Sequence, residues 1–360
     1  MSVRHRRIRL KQILAVAGFA AMSAASVGAS AQSAPANLLE TGSTLLYPLF
    51  NLWVPDYTQA NPGVKITTQG TGSGTGIAQA ISGVAQIGAS DAYMSNAQIK
   101  QNPHILNIPL AISAQTVNYN VPGLNKVALK LDGPVLAGIY SGTIKNWNDP
   151  RIKALNPGVA LPAHAIVPIH RTDGSGDTFI FSQYLAFSTP SWNTGVGYGT
   201  TISWPAVQGG VGANGNPGMV QASQQTPYSI AYIGVSFHEQ VSKAGLGTAK
   251  LKNRSGHFLL PTAKTVNAAA SQLTAKTPAN ERISLVFAPG ADSYPIINYE
   301  YAIVNAKQPN ADTAKAIRNL LSWAASPTGG SAARYLDQVR FVALPAKVAA
   351  LSKAQIAQIQ

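Results

Sequence analysis

No cysteine occurs among the 360 residues. That absence excludes disulfides, thiolate metal sites, cysteine nucleophiles and a lipid-anchored N-terminal cysteine. Acids are scarce as well: 13 Asp and Glu stand against 27 Lys and Arg, a formal net charge of +14. The basic residues form no run resembling a nucleic-acid stripe, so nucleic acid is not an expected partner. They read as a solvated cationic surface, with a long-range field that attracts anions as the weaker alternative. His104, His164, His170, His238 and His257 lack metal-ligand spacing, and no acid cluster accompanies them. Neither Ser73 nor Ser175 sits in a Gly-x-Ser-x-Gly elbow. No metal or other cofactor is expected, and catalysis finds no support.

The N-terminus has the grammar of an export signal. Arg4, Arg6, Arg7, Arg9 and Lys11 precede the apolar run Ile13 to Met22, and Ala29-Ser30-Ala31 offers small residues for cleavage after Ala31. The apolar run is too short to span a bilayer as a permanent helix. Arg6-Arg7 with Leu10-Lys11 is loosely similar to a twin-arginine signal, but Arg9 stands where such signals carry an apolar residue, so ordinary secretion is expected. Residues 1–31 take five basic residues and no acid with them, leaving a formal charge of +9. The expected product is a soluble exported monomer. At about 330 residues it exceeds what one hydrophobic core usually supports, so two lobes are expected.

Strand-like and helix-like segments alternate, which predicts an α/β protein. Strands are expected at Leu38 to Gly42, Val64 to Gln69, Ala85 to Ala89, Ile105 to Leu110, Gln115 to Val121, Ile166 to His170, Ser229 to Ile233, Arg282 to Phe287 and Ile296 to Val304. Helices are expected from about Leu46, with Pro55 kinking or ending that one early. Others are expected through Ile77, Ala80 and Ile81, and at Val135 to Tyr140, Met219 to Gln224, Thr262 to Ala275, Ala311 to Ala325 and Lys347 to Gln358. Thr194 to Gly218 reads as mostly loop. No internal repeat is present.

The most telling stretch is Arg171-Thr172-Asp173-Gly174-Ser175-Gly176-Asp177, followed at once by a helical run. A helix start exposes N–H groups its own carbonyls cannot reach, and its dipole favours negative charge. Glycines admit an anion to that backbone, Ser175 and Gly176 add donors, and Arg171 offers a planar fork. Asp173 either pairs with Arg171 at the surface or orients it toward an anion. Asp177 is either a first-turn acid or a second proton acceptor facing the ligand.

Gly70 to Gly76 forms a second seat with Ser73 as donor. It lacks the third glycine of a dinucleotide fingerprint and the lysine of a P-loop. In Thr41-Gly42-Ser43-Thr44 two roles fit, a helix cap or ligand contact through the Thr44 hydroxyl. Gly88-Ala89-Ser90-Asp91 adds an acid. A carboxylate beside an anion seat accepts a hydrogen bond from a protonated oxyanion such as phosphate. It repels an unprotonated one such as sulfate.

Taken in order, Gly42-Ser43-Thr44, Gly70-x-Gly72-Ser73, Gly88-Ala89-Ser90-Asp91 and Arg171-x-Asp173-Gly174-Ser175-Gly176 resemble the PstS-type periplasmic phosphate-binding proteins. Ile139-Tyr140-Ser141-Gly142-Thr143-Ile144-Lys145-Asn146-Trp147-Asn148-Asp149 and Tyr294-Pro295-Ile296-Ile297 are similar too. The resemblance implies a type II periplasmic binding protein fold: two α/β lobes joined by two crossing strands, near Gln115 to Val121 and Tyr294 to Tyr301, with the ligand in the cleft. Residues 37–117 with 298–360 would form lobe I, and 118–297 lobe II. It further implies that Thr44, Ser73, Asp91, Arg171, Ser175 and Gly176 contact phosphate, Leu45 through its backbone N–H, with Asp173 holding Arg171. Leu45 replaces a phenylalanine of many relatives. Asp177 stands where some relatives place a threonine donor, whereas mycobacterial ones look similar to this chain. The implied role is periplasmic capture of inorganic phosphate for an inner-membrane ABC permease. A phosphate-ester hydrolase or a receptor for sulfate or molybdate are the alternatives.

Overall fold

The computed structural model describes residues 36–360; the expected signal segment lies outside the described residues. Nine strands make the main sheet. In chain order they are β1 (Ala36–Gly42), β2 (Val64–Gly70), β3 (Ile87–Ser90), β4 (Ile105–Asn120), β5 (Val167–Arg171), β6 (Val211–Ala213), β7 (Ser229–Gly234), β8 (Gly247–Thr248) and β9 (Ile297–Asn305). Their spatial order is β2-β1-β3-β9-β4-β7-β5-β6, with β8 also paired to β4. β1 lies parallel to β2 and β3, and β5 parallel to β6 and β7. Parallel neighbours require crossovers, which here are helices, so each half is α/β.

One strand serves both halves. Ile105 to Ala114 of β4 pairs with β9, and Gln115 to Asn120 pairs with β7. The run entering β9 crosses at the same place, where Gln115 N donates to the Ile296 carbonyl (3.1 Å) and the Tyr294 hydroxyl donates to the Gln115 carbonyl (2.8 Å). The sequence predicts two strands, Ile105 to Leu110 and Gln115 to Val121, but β4 is continuous. Ala111, Ser113 and Ala114 are weak strand formers, yet they and Ile112 are all buried and laddered to β9. The register slips at Glu300/Tyr301, which pair with Ala111 and Pro109, leaving Leu110 as the extra residue of a bulge. A bulge is where a strand tolerates a proline, which has no N–H for the ladder.

Four helices border the strand ends where the two halves meet: α1 (Tyr47–Ala60), α2 (Ser73–Ser82), α3 (Gly176–Ser188) and α4 (Gly215–Gln225). α1 runs through Pro55 where the sequence predicts a kink or stop. An interior proline costs about 3 kcal/mol. Leu49, Phe50, Trp53 and Tyr57 are buried on both sides of it, at roughly 1.5–3 kcal/mol per large apolar side chain, and Trp53 Nε1 donates to the Gly330 carbonyl (2.9 Å). Packing outweighs the lost hydrogen bond.

One further expectation fails. Arg282 to Phe287 is irregular chain, not a strand: Arg282 is tied to Met94 and Asn96, Ser284 donates to Gln183 Oε1 (2.8 Å), and Phe287 N donates to the Pro295 carbonyl (2.8 Å). Its apolar residues pack against the core without a ladder. The Thr194 to Gly218 passage contains β6 and the start of α4. Among the described residues no helix is long and apolar enough to cross a membrane.

Candidate functional site

Three helix starts meet between the halves of the sheet. β1 turns toward α1 at Gly42, whose φ is +141° and whose added Cβ would lie 2.1 Å from the Ala89 carbonyl. Only glycine permits that approach. Ser43 N then donates to the Ala89 carbonyl (2.9 Å), and Ser43 Oγ accepts from Leu45 N (3.0 Å) and Leu46 N (2.9 Å). The same hydroxyl donates to the Asp91 carboxyl. Ser43 therefore caps the turn that leads into α1, and Thr44 is left to other partners.

α2 starts at Ser73, whose Oγ accepts from Asp91 N (3.1 Å) and stands 3.3 Å from Asp91 Oδ2. Gly74 N donates to the Gly174 carbonyl (2.8 Å), a backbone bond across the cleft. Opposite, Ser175 caps α3 by accepting from Thr178 N (3.1 Å), a role that leaves its hydroxyl hydrogen free to donate. α3 is buried along Gly176 to Ala186, so its dipole acts in a dry environment.

Gly176 closes the group. A Cβ there would sit 2.4 Å from Asp91 Oδ2 and 2.5 Å from Ser73 Oγ. Gly176→Ala should therefore weaken anion binding by roughly 10- to 100-fold, the cost of overpacking a tight site. Titration calorimetry beside a thermal melt would separate this from general unfolding.

The cation is Arg171, at the end of β5. Its Nε donates to Asp173 Oδ1 (2.7 Å), its Nη2 to Asp173 Oδ2, and its Nη1 to Asp177 Oδ2 (2.7 Å). Tyr232, stacked on Phe181 at 4.5 Å, accepts the Arg171 N–H (2.9 Å) and bonds the Thr178 hydroxyl (2.7 Å), fixing strand to helix. Asp177 also accepts from Asn216 Nδ2 (2.7 Å) and Gln115 Nε2 (3.0 Å). Asn216 reaches farther, donating to Thr44 Oγ1 from Nδ2 (3.0 Å) and from its backbone (3.2 Å). One asparagine thus bridges the start of α1 to the Arg171 cluster.

The electrostatics are lopsided. Arg171 is 4% exposed, Asp91 2%, Asp177 1% and Glu300 0%. With Asp173, one guanidinium faces four acids. Burial against ionisation, reinforced by the Asp177 charge, pushes the Asp91 carboxyl up to about 7; bonds from Glu300 and Ser43 and the Arg171 charge oppose this. Burial also raises Asp177, against the pull of Arg171, Gln115 and Asn216. Burial works against Asp173 too, but its bonds to Arg171 and the Gly215 N–H outweigh it and hold that carboxyl below its ordinary value. A cluster this short of positive charge retains protons, or takes a guest that brings them.

All the residues singled out from sequence lie in this one cluster. Thr44, Ser73, Asp91, Arg171, Ser175 and Gly176 occupy its wall, and Asp173 holds Arg171. The N–H that the resemblance assigns to Leu45 for ligand contact donates here to Ser43 Oγ, and the Leu45 carbonyl accepts from Ser236 Oγ (2.8 Å). Asp177 is a first-turn acid of α3 whose oxygens are taken by Arg171, Asn216 and Gln115. Asn216, Gln115, Tyr232 and Glu300 do not stand out in the sequence. Two carry a signal in retrospect: Asn216 follows a glycine turn and opens a helix, and Glu300 is an acid within the apolar run of β9.

A family model described as a PBP superfamily domain matches residues 29–328. The chain is 35% identical over 301 residues to the phosphate-binding protein PstS of Methanocaldococcus jannaschii, covering 79% of this chain and 77% of that protein. It is 34% identical over 314 residues to PstS of Haemophilus influenzae, covering 87% and 90%. Among solved structures it is similar to a high-affinity periplasmic phosphate-binding protein, PfluDING, bound with phosphate, at TM-score 0.70 and 20% identity over 88% of this chain and 93% of that one. A phosphate-binding protein from Stenotrophomonas maltophilia aligns at TM-score 0.67 and 17% identity, again over 88% and 93%. These two establish likeness of fold.

Proposed function

From the premise that this chain belongs to the PBP superfamily and, within it, to the PstS phosphate-binding proteins, we propose how its cleft does the family's work. The protein binds inorganic phosphate and hands it to an ABC-type importer. It acts as an exported monomer that captures its ligand outside the inner membrane and binds without turning it over. Residues 37–117 with 298–360 form one lobe and 118–297 the other, and they close on the anion by rotation about the β4 crossing.

One observation carries this reading: three helix starts and a single guanidinium converge on the buried Asp91. Thr44, Ser73, Ser175 and Gly176 supply hydroxyl and amide donors. Arg171 supplies charge, held in plane by Asp173 and, on its third nitrogen, by Asp177. Leu45, its N–H held by Ser43 Oγ and its carbonyl by Ser236, braces the turn behind this wall. Donors and dipole alone would bind any oxyanion; Asp91 makes the choice. Ionised, it accepts a hydrogen bond from the O–H that phosphate carries near neutral pH and that sulfate and molybdate lack.

Titration calorimetry of phosphate against sulfate, in phosphate-free buffer after exhaustive dialysis, tests the reading. The expected result is phosphate preferred by at least about a hundredfold, since a like-charge clash in a dry site costs several kcal/mol. Equal affinities would overturn it. Release of chromophore from a phosphate ester, absent on this reading, would place the protein among hydrolases.

A further inference from the structure

Glu300 has no part in the wall of donors around the anion, yet it is tied to Asp91 through one amide, Asn298 Nδ2. It sits on β9 with no solvent exposure, at the bulge where the register slips against Pro109 and Ala111. The ladder is regular up to Glu300, so strand alternation sets it on the same face as Asn298, two residues earlier, with Ser113 of β4 opposite Asn298. Glu300 Oε1 accepts from Ser113 Oγ (2.5 Å) and Asn298 Nδ2 (3.1 Å). Its Oε2 meets no donor, and Asn298 Nδ2, which also donates to the Asp91 carbonyl (3.3 Å), sets the two buried acids side by side.

Two carboxylates cannot bond each other while both are ionised, since each is then acceptor only. One proton must lie between them. Asp91 already accepts from Ser43 and Ser73 and feels Arg171, so it is the better anion. Glu300 feels neutral donors on β4 and β9, and its ionisable neighbour is Asp91, which in turn faces Asp177 and Arg171. Burial first, then the Asp91 charge, holds Glu300 well above the usual carboxyl range.

We propose that Glu300 keeps its proton and donates it to Asp91, holding Asp91 as the ionised acceptor on which selection among oxyanions depends. Glu300 is a positioning residue for specificity and touches no ligand. The inference rests on the phosphate reading. Without the donor, Asp91 loses a bond to its charged form, takes up a proton near neutral pH and presents an O–H to the guest. An O–H welcomes sulfate as readily as phosphate, so the selectivity decays although every residue of the wall is intact.

Calorimetry of phosphate and sulfate at pH 8 on the full chain, its Glu300→Ala and its Glu300→Gln variants tests this. Glu300→Ala should lose at least about tenfold of the phosphate-over-sulfate ratio, the worth of one hydrogen bond to a charged group. Glu300→Gln, which still offers an N–H to Asp91, should recover most of it. An alanine variant with the wild-type ratio, or a glutamine variant no better than alanine, overturns the proposal and leaves the phosphate reading standing. A wild type that binds neither anion overturns the phosphate reading instead, and the selectivity role with it. Should the alanine variant not fold, infrared difference spectra of ligand-free wild type against Glu300→Gln at pH 8 decide. A protonated carboxylic-acid band lost in the variant supports the donor, and its absence from wild type overturns it.

Discussion

Arg171→Met should weaken phosphate binding about a thousandfold, and Arg171→Lys about a hundredfold, in phosphate-free calorimetry. The guanidinium is buried, and each of its three nitrogens is engaged by Asp173 or Asp177. Removing one partner of a buried ion pair costs about 3–5 kcal/mol, because the acids left behind lose their compensation. Lysine restores the charge but not the fork, so it cannot serve both acids and a guest at once. The fold should feel the change as well. Asp173 lies below its ordinary value in the folded chain, so its pairing stabilises above the unfolded carboxyl range and is lost as pH falls through the folded value. The methionine variant lacks that contribution. Its melting temperature should fall well short of wild type at pH 7, and the gap should persist to pH 4 and narrow only as the pH drops below the ordinary aspartate value of 3.8. A gap unchanged by pH would show that packing, not charge, is the loss.

The second large effect concerns choice of ligand. Asp91→Asn should reduce the preference of phosphate over sulfate on the order of a hundredfold, chiefly by improving sulfate. An asparagine can turn an N–H toward an unprotonated oxyanion where a carboxylate repels it. The pH dependence has a definite sign. Asp91 is pushed up to about 7, so it protonates as the pH drops through that value and ceases to repel. Wild-type sulfate affinity should therefore rise from pH 8 to pH 6, and in Asp91→Asn that rise should disappear. A wild-type sulfate affinity flat across this range would mean that Asp91 is not the selecting group.

Much of this cleft is legible in the chain itself. Gly42-Ser43-Thr44, Gly70 to Gly76 and Arg171 to Asp177 each combine glycine with a following helix, and such local patterns carry their own physical reason. Tertiary partners are less legible. Asn216 reaches Thr44 across 172 positions and Asp177 across 39, distances over which no local pattern speaks. Glu300 stands out only as an acid in an apolar strand, and its donor Ser113 lies 187 positions away on another strand. The strand expected at Arg282 to Phe287 fails for the converse reason. Leu285 and Val286 are buried as a strand's would be, but the backbone is tied to side chains and turns. Apolar alternation reports burial, and burial does not require a ladder.

The meeting of Gly74 N with the Gly174 carbonyl has a consequence of its own. This clasp between the two sides is made of peptide groups, which do not titrate, whereas the floor beneath it is crowded with acids that do. Acidification can thus alter which guest is accepted without loosening the fastening above it. In a receptor so divided, sour surroundings act on affinity through the acids of the floor and leave the peptide fastening untouched.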